Sequence, residues 1–133
     1  MGMLSRKLRN IEGGGLGYWC QGCDMLHQVR VGEGLGPRWG WNGDAEKPTF
    51  TPSVLVWWTE PANIGNPEAL KRDVAEAQAR RDAGEQNVKV PQVDKRCHTF
   101  ITDGRVQFLG DCTHQYAGQT LDLPDLPGDW RDD

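Results

Sequence analysis

Four cysteines are the residues in this chain best suited to chemistry, and their spacing divides them into two pairs. Cys20 and Cys23 stand in Tyr18-Trp19-Cys20-Gln21-Gly22-Cys23. A Cys-x-Gly-Cys turn aims both sulfurs at one ion, and the glycine relieves the tight backbone between them. Cys97 is followed by His98, and Cys112 by Thr113-His114. The expected metal set is Cys20, Cys23, Cys97 and Cys112 around one Zn2+, with His114 and then His98 as substitute ligands. Two other readings stand beside zinc: free or redox thiols, and disulfides. No signal peptide is visible, so a reducing compartment is expected, which disfavours disulfides. A redox Cys-x-x-Cys would want a βαβ setting, and this one sits in Gly- and Trp-rich sequence.

The number of protein ligands decides what such a metal does. Four closed ligands make a structural site, whereas three plus a water make a catalytic one. For the open case the candidate acid, base or ligand groups are His98, Asp111 and His114. His27, four residues past Cys23, is read as a core or surface histidine ahead of a ligand. Ser53 is weighed as a nucleophile. No His-Asp spacing of a known motif accompanies it, so a turn hydroxyl bonded to backbone is the preferred reading.

The element that must position the second cysteine pair is a β-hairpin over residues 97–114. Asp103-Gly104 is a two-residue type I′ turn signal, because that turn needs positive φ at both central positions. It pairs Thr102 with Arg105, Ile101 with Val106, Phe100 with Gln107 and Thr99 with Phe108. Alternation then puts Cys97 and Cys112 on one face with Ile101, Val106 and Phe108, and His98 on the other.

Earlier in the chain, residues 5–11 form a first strand or arm with a basic cluster of Arg6, Lys7 and Arg9, read as solvated surface. Gly13-Gly14-Gly15 is expected to be a hinge. Leu26 to Val31 alternates as a strand, Trp39 and Trp41 lie on a short one ending at Asn42-Gly43, and Val54 to Trp58 reads as a strand buried on both faces. Asn66-Pro67 starts a helix, with Asn as N-cap and Pro at the first helical position, and Gly84 ends it. Its apolar stripe of Leu70, Val74 and Ala77 is too thin for a core, so it is a surface helix. Thr120 to Leu123 is a last strand, stopped by Pro124. Trp130 is a candidate anchor in the tail.

These elements predict a mainly β fold: a small antiparallel sheet or sandwich with a zinc-knuckle-type site and one surface helix in an insertion. The expected organisation is a single zinc-binding β domain over 1–133, a helical insertion at 60–96 and an acidic tail at 125–133. At 133 residues, with 37% hydrophobic residues and no apolar run near 18, one soluble domain without a membrane span is expected. A net charge of −4 gives no nucleic-acid footprint.

Several of these segments together resemble a known family. They are Tyr18 to Asp24, Trp39 to Asp44 with Lys47 to Leu55, Cys97 to Ile101, Asp111 to His114, and Ala117 to Pro124. The combination is similar to a family of small tailed-phage and prophage proteins of unknown function, whose members often carry the label "ammonia monooxygenase". The resemblance runs from about Arg6 to Pro124, apart from the 60–96 excursion. It implies phage origin and a zinc site. The label does not transfer as chemistry, because ammonia monooxygenase is a membrane copper enzyme and this chain has neither a span nor a His-rich copper constellation.

Three function classes follow. The first is a phage-encoded zinc-stabilised binding module that contacts a host or phage protein, a reading helped by six tryptophans. The second is a virion structural or assembly component. The third is a zinc-dependent hydrolase of peptidase or isopeptidase type, since distant relatives of the resembled family sit beside bacterial ubiquitin-like conjugation genes. Enzyme activity is thus the lesser expectation and, if present, is a zinc hydrolysis and not a monooxygenation. The expected setting is host cytoplasm or the virion, without secretion.

Overall fold

Short runs of alternating apolar residues, punctuated by glycine turns, fold into two antiparallel sheets. The computed structural model describes residues 2–130. β1 (Arg9–Ile11), β2 (Gly15–Cys20) and β3 (Met25–Arg30) make the first sheet in that order. The second sheet is β4 (Gly40–Trp41), β5 (Phe50–Pro61), β6 (Gln92–Thr102), β7 (Arg105–Phe108) and β8 (Thr120–Asp122), also in chain order. The fold is mainly β with one α-helix among the described residues, α1 (Pro67–Asp82), as the sequence predicts. Among the described residues no helix is long and apolar enough to cross a membrane.

The chain divides into two compact units, Met1–Val56 with Arg96–Asp133 and Trp57–Lys95. In the first unit one face of each sheet supplies the core. Leu16, Tyr18, Cys20 and Val29 come from the first sheet; Phe50, Val54, Cys97, Ile101, Val106 and Phe108 come from the second. Leu8 and Leu123 are fully buried in the same core. Burying such side chains stabilises by roughly 1.5–3 kcal/mol each, the main driving force for closing this core.

The hairpin register follows the turn chemistry. Asp103 (φ +50°) and Gly104 (φ +75°) make the turn, with Thr99 opposite Phe108 and Ile101 opposite Val106. Three local expectations change. Gly13 and Gly14, at φ +88° and +86°, form the β1–β2 hairpin turn and not a hinge. Positive φ at consecutive positions is what a tight hairpin needs. The run Val54 to Trp58 is not buried on both faces: Val54 is buried, while Leu55 and Trp57 are exposed. The second sheet therefore turns one face to solvent, as antiparallel sheets often do. The basic cluster also has structural partners. Lys7 Nζ donates to Leu123 O at 2.6 Å and pairs with Asp125, and Arg9 Nη1 donates to Trp130 O at 2.9 Å. Of the expected tail, residues 131–133 lie outside the described ones.

The second unit is built on α1. Asn66 caps it through a bond from Ala69 N–H to Oδ1 at 3.2 Å, and Pro67 opens it. Ala69 and Ala77 are buried, whereas Val74 is half exposed. Arg81 Nη2 donates to Val88 O at 3.0 Å, and Ala62 N–H donates to Pro91 O at 2.7 Å.

Candidate active site and metal centre

β6 supplies chemistry from both of its faces. Alternation sends Cys97 inward, where it is 1% exposed, and His98 outward to a half-buried position. On the outer face the His98 ring bridges two residues that are distant in sequence. His98 Nε2 lies 3.0 Å from Ser53 Oγ, and His98 Nδ1 lies 3.2 Å from Asp111 Oδ2. Both distances are within the reach required for proton transfer. A carboxylate can only accept, so Nδ1 carries the ring proton and Nε2 is left as the acceptor for the serine hydroxyl.

Each of the three side chains is placed by a different device. Ser53 is on β5 beyond the short β4, which pairs only with Phe50 and Thr51. Trp39 Nε1 donates to Ser53 O at 3.2 Å and fixes the backbone there. His98 is held in β6, where Leu109 N–H donates to His98 O at 2.9 Å and prolongs the hairpin past Phe108. Asp111 belongs to the turn after that hairpin and stands 3.9 Å from Arg96 Nη1. Leu55 and Phe100, two residues along from Ser53 and His98, are exposed apolar side chains. Strand periodicity gives Leu55 the face of Ser53 and Phe100 the face of His98.

This arrangement corrects the reading of Ser53. Its hydroxyl faces an imidazole that in turn faces a carboxylate, instead of serving a turn. Such a constellation activates a serine as a nucleophile, because the imidazole takes the hydroxyl proton as the oxygen attacks. The sequence offers Ser53, His98 and Asp111 as separate candidates but does not join them, because the three residues follow no local motif. Parity alone carried a hint, since it separated His98 from the cysteines and left it facing outward.

On the inner face six sulfur and nitrogen donors converge. Cys20, Cys23, His27 and Cys97 place their ligand atoms within 4.8 Å of one another, and so do Cys97, Cys112 and His114. This cluster could hold a metal ion. Of the expected four thiolates, Cys20, Cys23 and Cys97 come together, and Cys112 groups with Cys97 and His114. His98 is in neither group. His114, expected as a substitute ligand or acid-base group, is near the cysteines and away from Ser53; its ring lies directly over Gly22, where no side chain would fit. His27 is buried, and strand pairing sets it opposite Tyr18.

The donors fit a metal on structural grounds. Cys20 Sγ and Cys97 Sγ are 3.8 Å apart. A tetrahedron with bonds of about 2.3 Å to sulfur has edges of about 3.8 Å, whereas a disulfide would need about 2.05 Å. Cys23 N–H points at Cys20 Sγ at 3.4 Å, so the knuckle backbone supports the sulfur. Nε2 of both His27 and His114 is buried with no hydrogen-bond partner among the described residues. Hydrogen bonds from the Cys23 and Cys97 thiols drive Cys20 towards thiolate. The same sharing, led by Cys20, pushes the Cys23 thiol up to about 12 and raises Cys97 as well. Burial lowers the pKa of His114, which favours the neutral ring.

Comparison with known proteins bears on the outer site. Residues 3–109 match the family model described as "Bacterial ubiquitination-like system serine protease (BubE)". No curated protein and no solved structure matches the chain.

Proposed function

We propose, from the premise that the chain belongs to the bacterial ubiquitination-like system serine protease family, that it is a serine peptidase using Ser53, His98 and Asp111. The observation that carries this is the His98 ring, 3.0 Å from Ser53 Oγ on one side and 3.2 Å from Asp111 Oδ2 on the other. Ser53 Oγ attacks the carbonyl carbon of a peptide or isopeptide bond while its proton passes to His98 Nε2. Asp111 holds the ring in orientation and stabilises the imidazolium that forms. The imidazolium proton then goes to the leaving amine, and an acyl ester remains on Ser53. Water, deprotonated by His98, releases the acid and restores the serine.

The substrate is a protein of a bacterial ubiquitination-like system, a reading supported by the family description. Leu55 and Phe100 supply apolar contact on either side of the scissile bond.

The metal of the inner site is zinc, held by Cys20, Cys23, Cys97 and His27. Sulfur and imidazole donors in a small tetrahedral cage suit that ion. Bound there, it supplies structural cross-linking between the β2–β3 knuckle and β6. The hydrolase is therefore zinc-stabilised, with a serine doing the chemistry.

A fluorophosphonate probe, which phosphonylates activated serines, tests the assignment. The wild-type chain should carry one adduct, mapped by mass spectrometry to Ser53, and Ser53→Ala should carry none. An unlabelled wild-type chain with its metal in place, or an adduct elsewhere, overturns it.

A further inference from the structure

The turn that carries Asp111 is fastened to the backbone of the residue that Asp111 orients. We propose that Cys112 and Thr113 form a clasp that positions the triad's carboxylate, and that Cys112 is a positioning residue and not a metal ligand. The proposal rests on the serine-peptidase reading of the outer site.

β7 pairs with β6 only as far as Phe108 opposite Thr99. Beyond that point β6 still has backbone groups to satisfy, and an unpaired buried N–H is costly. Side chains take over the task. His98 N–H donates to Cys112 Sγ at 3.3 Å, and the Cys112 thiol donates to His98 O at 3.3 Å. The sulfur thus fills the N–H position that a partner strand would occupy, and it shares His98 O with Leu109 N–H, which donates there at 2.9 Å. Thr113 repeats the device two residues back along β6. Arg96 N–H donates to Thr113 Oγ1 at 3.0 Å, and Thr113 N–H donates to Arg96 O at 2.9 Å.

Asp111 precedes this pair directly, so its carboxylate is delivered to His98 Nδ1 by a segment gripped at Arg96 and His98. A turn closed by Cys112 N–H on Leu109 O at 3.2 Å fixes the other side. The metal donors support the division of labour. The compact four-donor group is complete with Cys20, Cys23, His27 and Cys97. Cys112 falls outside that group and clusters with Cys97 and His114.

The test compares full-length wild type with Cys112→Ala, Cys112→Ser and Thr113→Val. Thr113 is exposed, so its variant should fold even where a buried cysteine change does not. Three quantities are read: bound metal per chain, the rate of fluorophosphonate labelling at Ser53, and the downfield proton of the His98 Nδ1–H to Asp111 hydrogen bond in the NMR spectrum. A displacement of about 1 Å at a catalytic group costs roughly 100-fold. Labelling should therefore fall by roughly 10- to 100-fold in Cys112→Ala and Thr113→Val. The downfield proton should broaden or vanish, with metal content unchanged. Cys112→Ser, which keeps a donor and an acceptor, should recover part of the rate. Metal loss in the Cys112 variants makes Cys112 a ligand and overturns the proposal. So does wild-type labelling in Thr113→Val together with an intact downfield proton. Failure of the peptidase reading looks different: the wild type itself goes unlabelled, while its downfield proton still reports on the clasp.

Discussion

Cys97 and His98 are consecutive residues whose side chains serve opposite sides of one strand. Cys97 Sγ is 3.8 Å from Cys20 Sγ inside the core, and His98 Nε2 is 3.0 Å from Ser53 Oγ outside it. Any force on the sulfur is felt one peptide away at the imidazole. A metal held at Cys97 would therefore bear on the outer site without touching a substrate bound there.

Removing the metal should unfold the first unit. Structural zinc contributes about 10–16 kcal/mol in small finger peptides, comparable with or above the whole stability of a domain. A strong chelator should collapse the melting transition and abolish Ser53 labelling together, and Cys23→Ser should do the same. If the melting temperature stayed put after the metal was removed, the structural assignment would be wrong.

The fourth ligand can be read from single changes. His27→Ala should lose metal, because it removes one of four donors lying within 4.8 Å of one another. His114→Ala should keep it. Metal counting on purified variants decides, and the reverse pattern would move His114 into the cage and His27 out.

Asp111→Asn tests the orienting role. An amide offers an N–H to His98 Nδ1 and favours the wrong tautomer, which costs about 10⁴-fold in the chymotrypsin-type triad. Labelling at Ser53 should fall by roughly 10³- to 10⁴-fold while the melting temperature changes little, since Asp111 is exposed. A loss under threefold would remove Asp111 from the mechanism.

Gly104→Ala probes the hairpin turn. Gly104 has φ +75°, and an added Cβ would meet Lys47 Cα at 3.0 Å. The left-handed conformation alone costs an L-residue roughly 1–2 kcal/mol. Denaturant titration should show at least that loss, and an unchanged midpoint would mean that the turn relaxes freely.

Asn66→Ala should act locally. Loss of the N-cap typically costs about 1 kcal/mol. Amide exchange within α1 should speed up accordingly, and Ser53 labelling should keep its wild-type rate.

Local chemistry was legible in the sequence wherever one residue type dictates one backbone shape. Asp103-Gly104 announced its turn and thereby the register of β6 with β7. Asn66-Pro67 announced the start of α1. The same parity argument set Cys97 and Cys112 inward and His98 outward, as the burial pattern has it. What stayed hidden depends on pairing between strands far apart in the chain. Ser53 meets His98 across 45 residues, and no spacing rule encodes which outward position of β5 faces which of β6. His27 reads in the sequence as a core or surface histidine ahead of a ligand for a related reason: its burial next to Cys20 depends on the β2–β3 register, which sets it opposite Tyr18. The exposed face of β5 was misjudged because an unbroken apolar run cannot say which of its members face a partner.

The neck formed by Ala62 N–H and Pro91 O, 2.7 Å apart, makes the sequence between them dispensable for joining its two ends. A short turn, a fluorescent domain or an affinity handle spliced at that junction would span the same gap. Fusion partners could then be carried at mid-chain, leaving both termini untouched.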